Sequence, residues 1–318
     1  MRFVLVALLA ARAMVAADPA FDLVPPNTKV VVGFHVSAIV ASPLFKDSGL
    51  GVGAPQMADD WFKLVSLMGF DPFRDIDEVI LFSPADQTRA STQALLVVRG
   101  RFDPAHVGAG STRYRGVPLV GGVGDGKSLL AMLDSSTVLA GDAAAVRAAI
   151  DRRGHVTPVD AKLAERVQSL RERFDVWGTG ELPPGMGAPA GPAAELESID
   201  RFEFGMRISK GLELSADVHA RTPEDAAKLA AMLGMVKATA AVQGQALPLE
   251  VEAKDGTVKV SLTVSEEELK KAFAKGQQAA KAAQAGPPTI SGSEPSAAPR
   301  TYNDGGGTGV VTLPGGKP

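Results

Sequence analysis

The chain has 318 residues, no Cys, and 33 Lys and Arg against 36 Asp and Glu, for a net charge of −3. That balance gives no electrostatic pull toward nucleic acid. The absence of Cys excludes disulfides, thiolate metal sites, Cys nucleophiles and a lipid-bearing N-terminal Cys. Hydrophobic residues make up 45% of the chain, enough for a core, while 34 Gly and 22 Pro exceed the roughly 12% share usual for these two together.

Residues 1–17, MRFVLVALLAARAMVAA, open with Arg2 and run apolar from Phe3 to Ala11 before a small-residue ending. This is the pattern of a secretory signal peptide cut after Ala17. The run is too short to span a bilayer, which takes about 20 residues. No later stretch is long and apolar enough either, so no transmembrane anchor is expected after cleavage. The chain is therefore expected to be exported, to the periplasm or beyond the cell.

The mature chain divides by composition. Residues 18–177 are expected to form an N-terminal α+β domain. Its strands are Val30–Val36, Glu78–Phe82, Ala94–Arg99, Val117–Val120, Leu129–Leu133 and Thr137–Ala140, with a helix near Met57–Met68. Ser48–Pro55 is a small-residue connector. Gly141-Asp142 caps a helix through Ile150, and Leu163, Val167, Leu170 and Phe174 form the stripe of another. Residues 178–198 are a linker or long loop, since 9 of the 15 residues in Gly178–Pro192 are Gly or Pro.

Residues 199–285 are expected to form a ββαββα domain. Phe202, Phe204, Met206 and Ile208 alternate with polar residues, as do Leu212, Leu214, Ala216 and Val218, which is the period of a half-buried hairpin. Thr222-Pro223-Glu224-Asp225 starts a helix whose stripe is Leu229, Leu233, Val236 and Ala240. Asp255-Gly256 then turns a second hairpin, pairing Ala253 with Val258, Val251 with Val260 and Leu249 with Leu262. Ser265-Glu266-Glu267-Glu268 is a capping box for a last helix. Residues 286–318, with 14 Gly and Pro among 33, are expected to be a disordered tail. The fold class is thus α+β, with antiparallel sheets built from repeated strand–strand–helix units and helices packed on one face.

Few motifs carry chemistry. Gly121–Ser128, GGVGDGKS, fits the phosphate-loop spacing in which Lys127 would reach phosphate oxygens and Ser128 a magnesium ion. Its context favours a Gly-rich hairpin turn, because only Leu129–Ser135 separate it from the strand at Thr137. His35, His106, His155 and His219 show no metal-ligand spacing, and Asp75-Ile76-Asp77-Glu78 lacks the rest of a calcium loop, so it reads as a solvated turn. No G-x-S-x-G or S-x-x-K occurs. No catalytic, cofactor-binding or metal-binding residue is assigned, and no cofactor is implied. Trp177, beside the Gly/Pro stretch, is the one candidate anchor for a ligand or partner, with core packing as its alternative.

Lys29–Val36, Gly69–Ser83 and Thr137–Asp151 together resemble exported bacterial α+β proteins of uncharacterised families, in which a strand ending in Gly-Asp leads into an Ala-rich helix. The resemblance implies a repeat-like fold and an envelope location, and carries over no functional residues. The expected function is non-enzymatic binding or scaffolding, with an envelope protein or a small molecule as partner. The alternatives are a carrier with an apolar cleft lined by Phe202, Phe204 and Met206, and a hydrolase using acidic residues.

Overall fold

The alternating segments become the strands of one sheet. The computed structural model describes residues 21–48, 70–84, 94–106, 111–123, 128–155, 160–182, 197–209, 211–242, 248–271 and 274. Contacts divide the chain into Met1–Ala274 and Lys275–Pro318, and the described residues all lie in the first unit. Residues 1–17, the helix expected near 57–68 and the tail expected at 286–318 lie outside the described residues.

The strands are β1 (Thr28–Phe34), β2 (Ile76–Pro84), β3 (Leu95–Gly100), β4 (Thr112–Tyr114), β5 (Val117–Val123), β6 (Ser128–Asp134), β7 (Thr137–Asp142), β8 (Val176–Glu181), β9 (Ile199–Arg207), β10 (Gly211–Ala220), β11 (Leu249–Lys254) and β12 (Thr257–Ser265). They form a single twelve-stranded sheet in the order β11-β12-β10-β9-β8-β1-β2-β3-β7-β6-β5-β4. Every ladder in it is antiparallel. The helices are α1 (Val36–Ala41), α2 (Pro43–Ser48), α3 (Ala143–Arg152), α4 (Ala161–Arg173) and α5 (Pro223–Val242).

The structure departs from the expected fold class in two ways. The chain is dominated by one antiparallel sheet rather than by repeated α+β units, and its helices do not share a face. Residues opposite each other across a ladder point to the same side. We name the side bearing Val31 and Trp177 the front, and the side bearing Val30 and Val32 the rear. Val31, Phe82, Val97, Leu139 and Trp177 form a front core with Val146 and Ala149 of α3 and Val167 and Leu170 of α4. On the rear, Phe70, Ile76, Val98, Phe102, Leu130 and Val138 form a second core, against which Val36 of α1 packs.

The ladder Val30–Gly180–Phe202–Val218 carries the rear face across to β10. There Val218, Val251, Val258 and Val260 pack against Ala226 and Leu229 of α5. The N-terminal strands are thus covered by α3 and α4 in front, and β10–β12 by α5 behind. The front of β10–β12 bears Ser215, Asp217, Lys259 and Ser261, a polar surface.

The expected boundary at residue 178 falls inside β8, which runs to Glu181 and pairs with β9 from Val176↔Met206 to Glu181↔Arg201. Residues 183–196, the rest of the Gly/Pro stretch, lie outside the described residues, but the base of that excursion is closed. Leu182 N–H donates to the Asp200 carbonyl at 2.8 Å, and Arg221 Nε donates to the Glu197 carbonyl at 2.7 Å.

Local signals behave as their chemistry dictates. Asp142 accepts from Ala144 N–H at 2.8 Å and Asp160 from Leu163 N–H at 2.9 Å, capping α3 and α4. Thr222 Oγ1 accepts from Asp225 N–H at 3.1 Å at the start of α5, and Ser265 Oγ from Glu268 N–H at 3.3 Å. Asp255 and Gly256 have φ of 51° and 76°, the two left-handed residues of a type I′ turn, and set the register of β11 on β12 as the spacing predicts. Along α5, Leu229 is buried while Val236, placed by the stripe on the inner side, is 50% exposed.

Candidate functional site

The rear face between α1 and α5 carries a strip of apolar side chains. Three rows cross β1, β8, β9 and β10: Phe34–Val176–Met206–Leu214, Val32–Gly178–Phe204–Ala216 and Val30–Gly180–Phe202–Val218. Apart from the two buried glycines, these side chains are half-buried, and Phe34 is 37% exposed.

The glycines explain how the aromatic rings lie. A Cβ at Gly178 would stand 2.4 Å from Phe204 Cε1, and one at Gly180 would stand 3.0 Å from Phe202 Cε1. Each ring therefore fills the space over β8 where a side chain would otherwise stand. The two rings stack at 6.2 Å with an interplanar angle of 19°. The strip holds no acid, base or nucleophile. What it offers is apolar area, about 2.5 kcal/mol for every 100 Å² taken from water.

Charged groups concentrate on the front. Glu78 of β2, 5% exposed at its side chain, accepts from Arg171 of α4 through both oxygens, Nε at 2.6 Å and Nη2 at 2.7 Å. Arg99 Nη1 lies 3.8 Å from Glu78 Oε2, and His35 Nδ1 lies 3.7 Å from Oε1. His35 Nε2 is 3.0 Å from the Arg171 carbonyl, which can only accept, so that nitrogen carries a proton. This cluster ties the C-terminal end of α4 to β1, β2 and β3.

A second polar chain runs along the front of β8–β12. Lys29 donates to Glu181 at 2.9 Å, and Arg166 of α4 stands 3.8 Å from both Glu181 and Glu203. Arg201 Nη2 lies 2.9 Å from His219 Nε2, and Thr257 Oγ1 lies 3.0 Å from His219 Nδ1. Arg201 can only donate, so Nε2 accepts and the imidazole is neutral with its proton on Nδ1.

Burial and the Arg201 cation lower the pKa of His219 from its ordinary value, against weaker opposing pulls from Glu203, Asp217 and Asp200. A lowered imidazole pKa means that the unfolded chain binds the proton more readily. The contribution is therefore complete above about pH 6.5 and is lost as pH falls through that value toward the folded pKa. The wild type is expected to lose thermal stability between pH 7 and 5.5 more steeply than His219→Gln, which keeps an acceptor for Arg201 but does not titrate. Equal slopes in differential scanning fluorimetry would show that this contact carries no proton linkage.

Trp177, the candidate anchor, is fully buried in the front core, with its ring against Gly33. It presents nothing to solvent, and its indole N–H has no hydrogen-bond acceptor among the described residues. Gly121–Val123 end β5 and Ser128 begins β6, so the phosphate-loop string joins two antiparallel strands rather than a strand and a helix. Gly124–Lys127 lie outside the described residues. His35 and His219 belong to separate clusters. Among the described residues no group of three or more His, Asp and Glu is placed to hold a metal ion. Asp75 accepts from Arg74 and from Asp71 N–H at a turn, whereas Glu78 leaves that cluster for the interior. Its parity with Ile80 and Phe82 along β2 is the signal that points it inward.

The described residues define a strand-dominated single sheet with helices on both faces and an apolar strip on the rear between α1 and α5. No helix among the described residues is long and apolar enough to cross a membrane. No family model matches the chain, and no curated protein matches it. A solved structure titled "Structure of crystal form I of TP0453" is similar at a TM-score of 0.44 and 12% identity, over 82% of this chain and 98% of that one.

Proposed function

We propose that the chain is an exported, non-enzymatic binding or scaffolding protein of the cell envelope, and that it engages its partner through the rear strip. The observation carrying this reading is the half-buried triple row around Phe202 and Phe204, ending at the exposed Phe34. Contiguous apolar surface left open beside a covered core marks interaction sites. Export rests on residues 1–17, with Arg2, the Phe3–Ala11 run and the small-residue ending. The resemblance of Lys29–Val36, Gly69–Ser83 and Thr137–Asp151 to exported bacterial proteins of uncharacterised families supports the same location.

A photo-crosslinking amino acid in place of Phe34 tests the reading in the native envelope, because that side chain reaches solvent. The expected result is one discrete protein adduct, lost when Met206→Asp puts a charge in the strip. Absence of any protein adduct overturns the reading. The paired aromatic rings over Gly178 and Gly180 favour, as a second reading, a carrier of an apolar small molecule or lipid. Native mass spectrometry of protein purified from its own host separates the two, since a co-purifying lipid supports the carrier.

A further inference from the structure

We infer that the outer edge of β11 is a self-association surface, and that its occupant is the β11 edge of a second copy of this chain. The Asp255-Gly256 turn makes Lys254↔Thr257 the closing pair of the hairpin, so Glu250, Glu252 and Lys254 exchange their backbone hydrogen bonds with β12. The N–H and C=O groups of Leu249, Val251 and Ala253 then point the other way. Among the described residues no strand pairs with that edge, since β11 ends the sheet. An unpaired edge is a template for another strand.

Charge selects both the occupant and the register. In an antiparallel pairing about a two-fold axis, a register centred on Val251 or on Glu252 sets outward groups against outward groups, the second through Val251 and Ala253. Centring on Val251 sets Glu250 against the partner's Glu252 on both sides of the axis, which is unfavourable. Centring on Glu252 sets Glu250 against the partner's Lys254 twice. The single Glu252 pair on that axis is relieved by Lys259, which stands opposite Glu252 on β12 within each copy. The edge sequence Glu-Val-Glu-Ala-Lys is therefore largely complementary to itself read backwards.

The helix above the edge supports the same geometry. α5 packs on the rear of β10–β12, yet Met235 is 66%, Val236 50% and Val242 89% exposed. These are three of the four large exposed hydrophobic residues among those described. A helix that leaves large apolar side chains exposed along its second half calls for cover. Joining two β11 edges brings the two α5 copies to the same side of the joined sheet, flanking the axis. Gly234 has nothing within 4 Å of where a Cβ would stand, so the outer side of the helix is open to close approach. The proposal is independent of the rear strip.

Sedimentation velocity on the full secreted chain tests it. The wild type is expected to dimerise with concentration. Lys254→Glu should raise the dimer dissociation constant about tenfold, and adding Glu250→Lys should bring it back to near the wild-type value, since the swap restores both cross-axis pairs. Val251→Pro removes an outward N–H that β12 does not use and should abolish the dimer with the fold intact by circular dichroism. If that variant fails to fold, the charge swap decides alone. A chain that stays monomeric overturns the proposal. So does a dimer indifferent to both charge variants, or one that is lost when residues 286–318 are deleted, which would make the tail the occupant.

Discussion

Truncating Trp177 to Ala is expected to lower the unfolding free energy by about 3–5 kcal/mol, the cost of removing a large buried aromatic and leaving its cavity. The side chain is fully buried on β8, where the front strands meet α4. Its position depends on its neighbours having no side chains. A Cβ at Gly33 would stand 2.1 Å from Trp177 Cζ2, and one at Gly205, directly across the next ladder, would stand 2.1 Å from Phe174 Cδ2. Those contacts are with rings held in a packed core, so neither can move aside at small cost. Gly33→Ala alone is therefore expected to destabilise by at least about 1–3 kcal/mol, as overpacking does. Combined with Trp177→Leu, it should cost less than the sum of the two single changes, because the shorter side chain gives the methyl room. Urea unfolding of the two single variants and the double variant reads the coupling directly. Strict additivity would mean that the ring and the glycine do not share the space.

The same residues show what the sequence makes legible. The β11–β12 hairpin is readable to the residue pair, because Asp255-Gly256 fixes the turn and a period of two fixes which side chains share a side. The choice of face is not readable that way. Alternation places Phe202, Phe204 and Met206 together but does not say whether the next strand's inner side continues the same face of the sheet. Only the pairing of β8 with both β1 and β9 settles that, and it puts α5 behind while α3 and α4 sit in front. Gly178 and Gly180 read as flexible spacers because glycine count alone suggests a linker. In the fold they are strand, and Phe204 and Phe202 lie across them. The strip is legible in its residues and illegible in its exposure. Glu78 is hidden for a related reason: the acidic residues before it belong to a turn, while its own parity with Ile80 and Phe82 sends it inward to a cation 93 positions away. The α5 stripe is legible in its spacing but not in its depth: Leu229 is buried, while Val236, two turns further on, is half exposed.

Replacing Arg171 by Leu is expected to destabilise the fold by about 3–5 kcal/mol, the range seen when one partner of a buried ion pair is removed. The loss is large because of what remains rather than what is taken away. The Glu78 carboxylate, 5% exposed in the fold, loses its two short hydrogen bonds and keeps the longer approaches of Arg99 at 3.8 Å and His35 at 3.7 Å. Arg171→Lys keeps a positive charge but cannot make the two-pronged contact, so it should fall between wild type and Arg171→Leu. Pairing Arg171→Leu with Glu78→Leu removes both charges at once and should recover most of the loss, since two apolar groups of similar size leave nothing buried and unpaired. Denaturant melts of the wild type, Arg171→Leu, Glu78→Leu and the double variant form a complete cycle. A double variant as unstable as the sum of its single changes would mean that the pair acts through packing alone. Recovery would show that the loss in Arg171→Leu comes from the Glu78 carboxylate left unpaired in the interior rather than from missing contacts between α4 and the sheet.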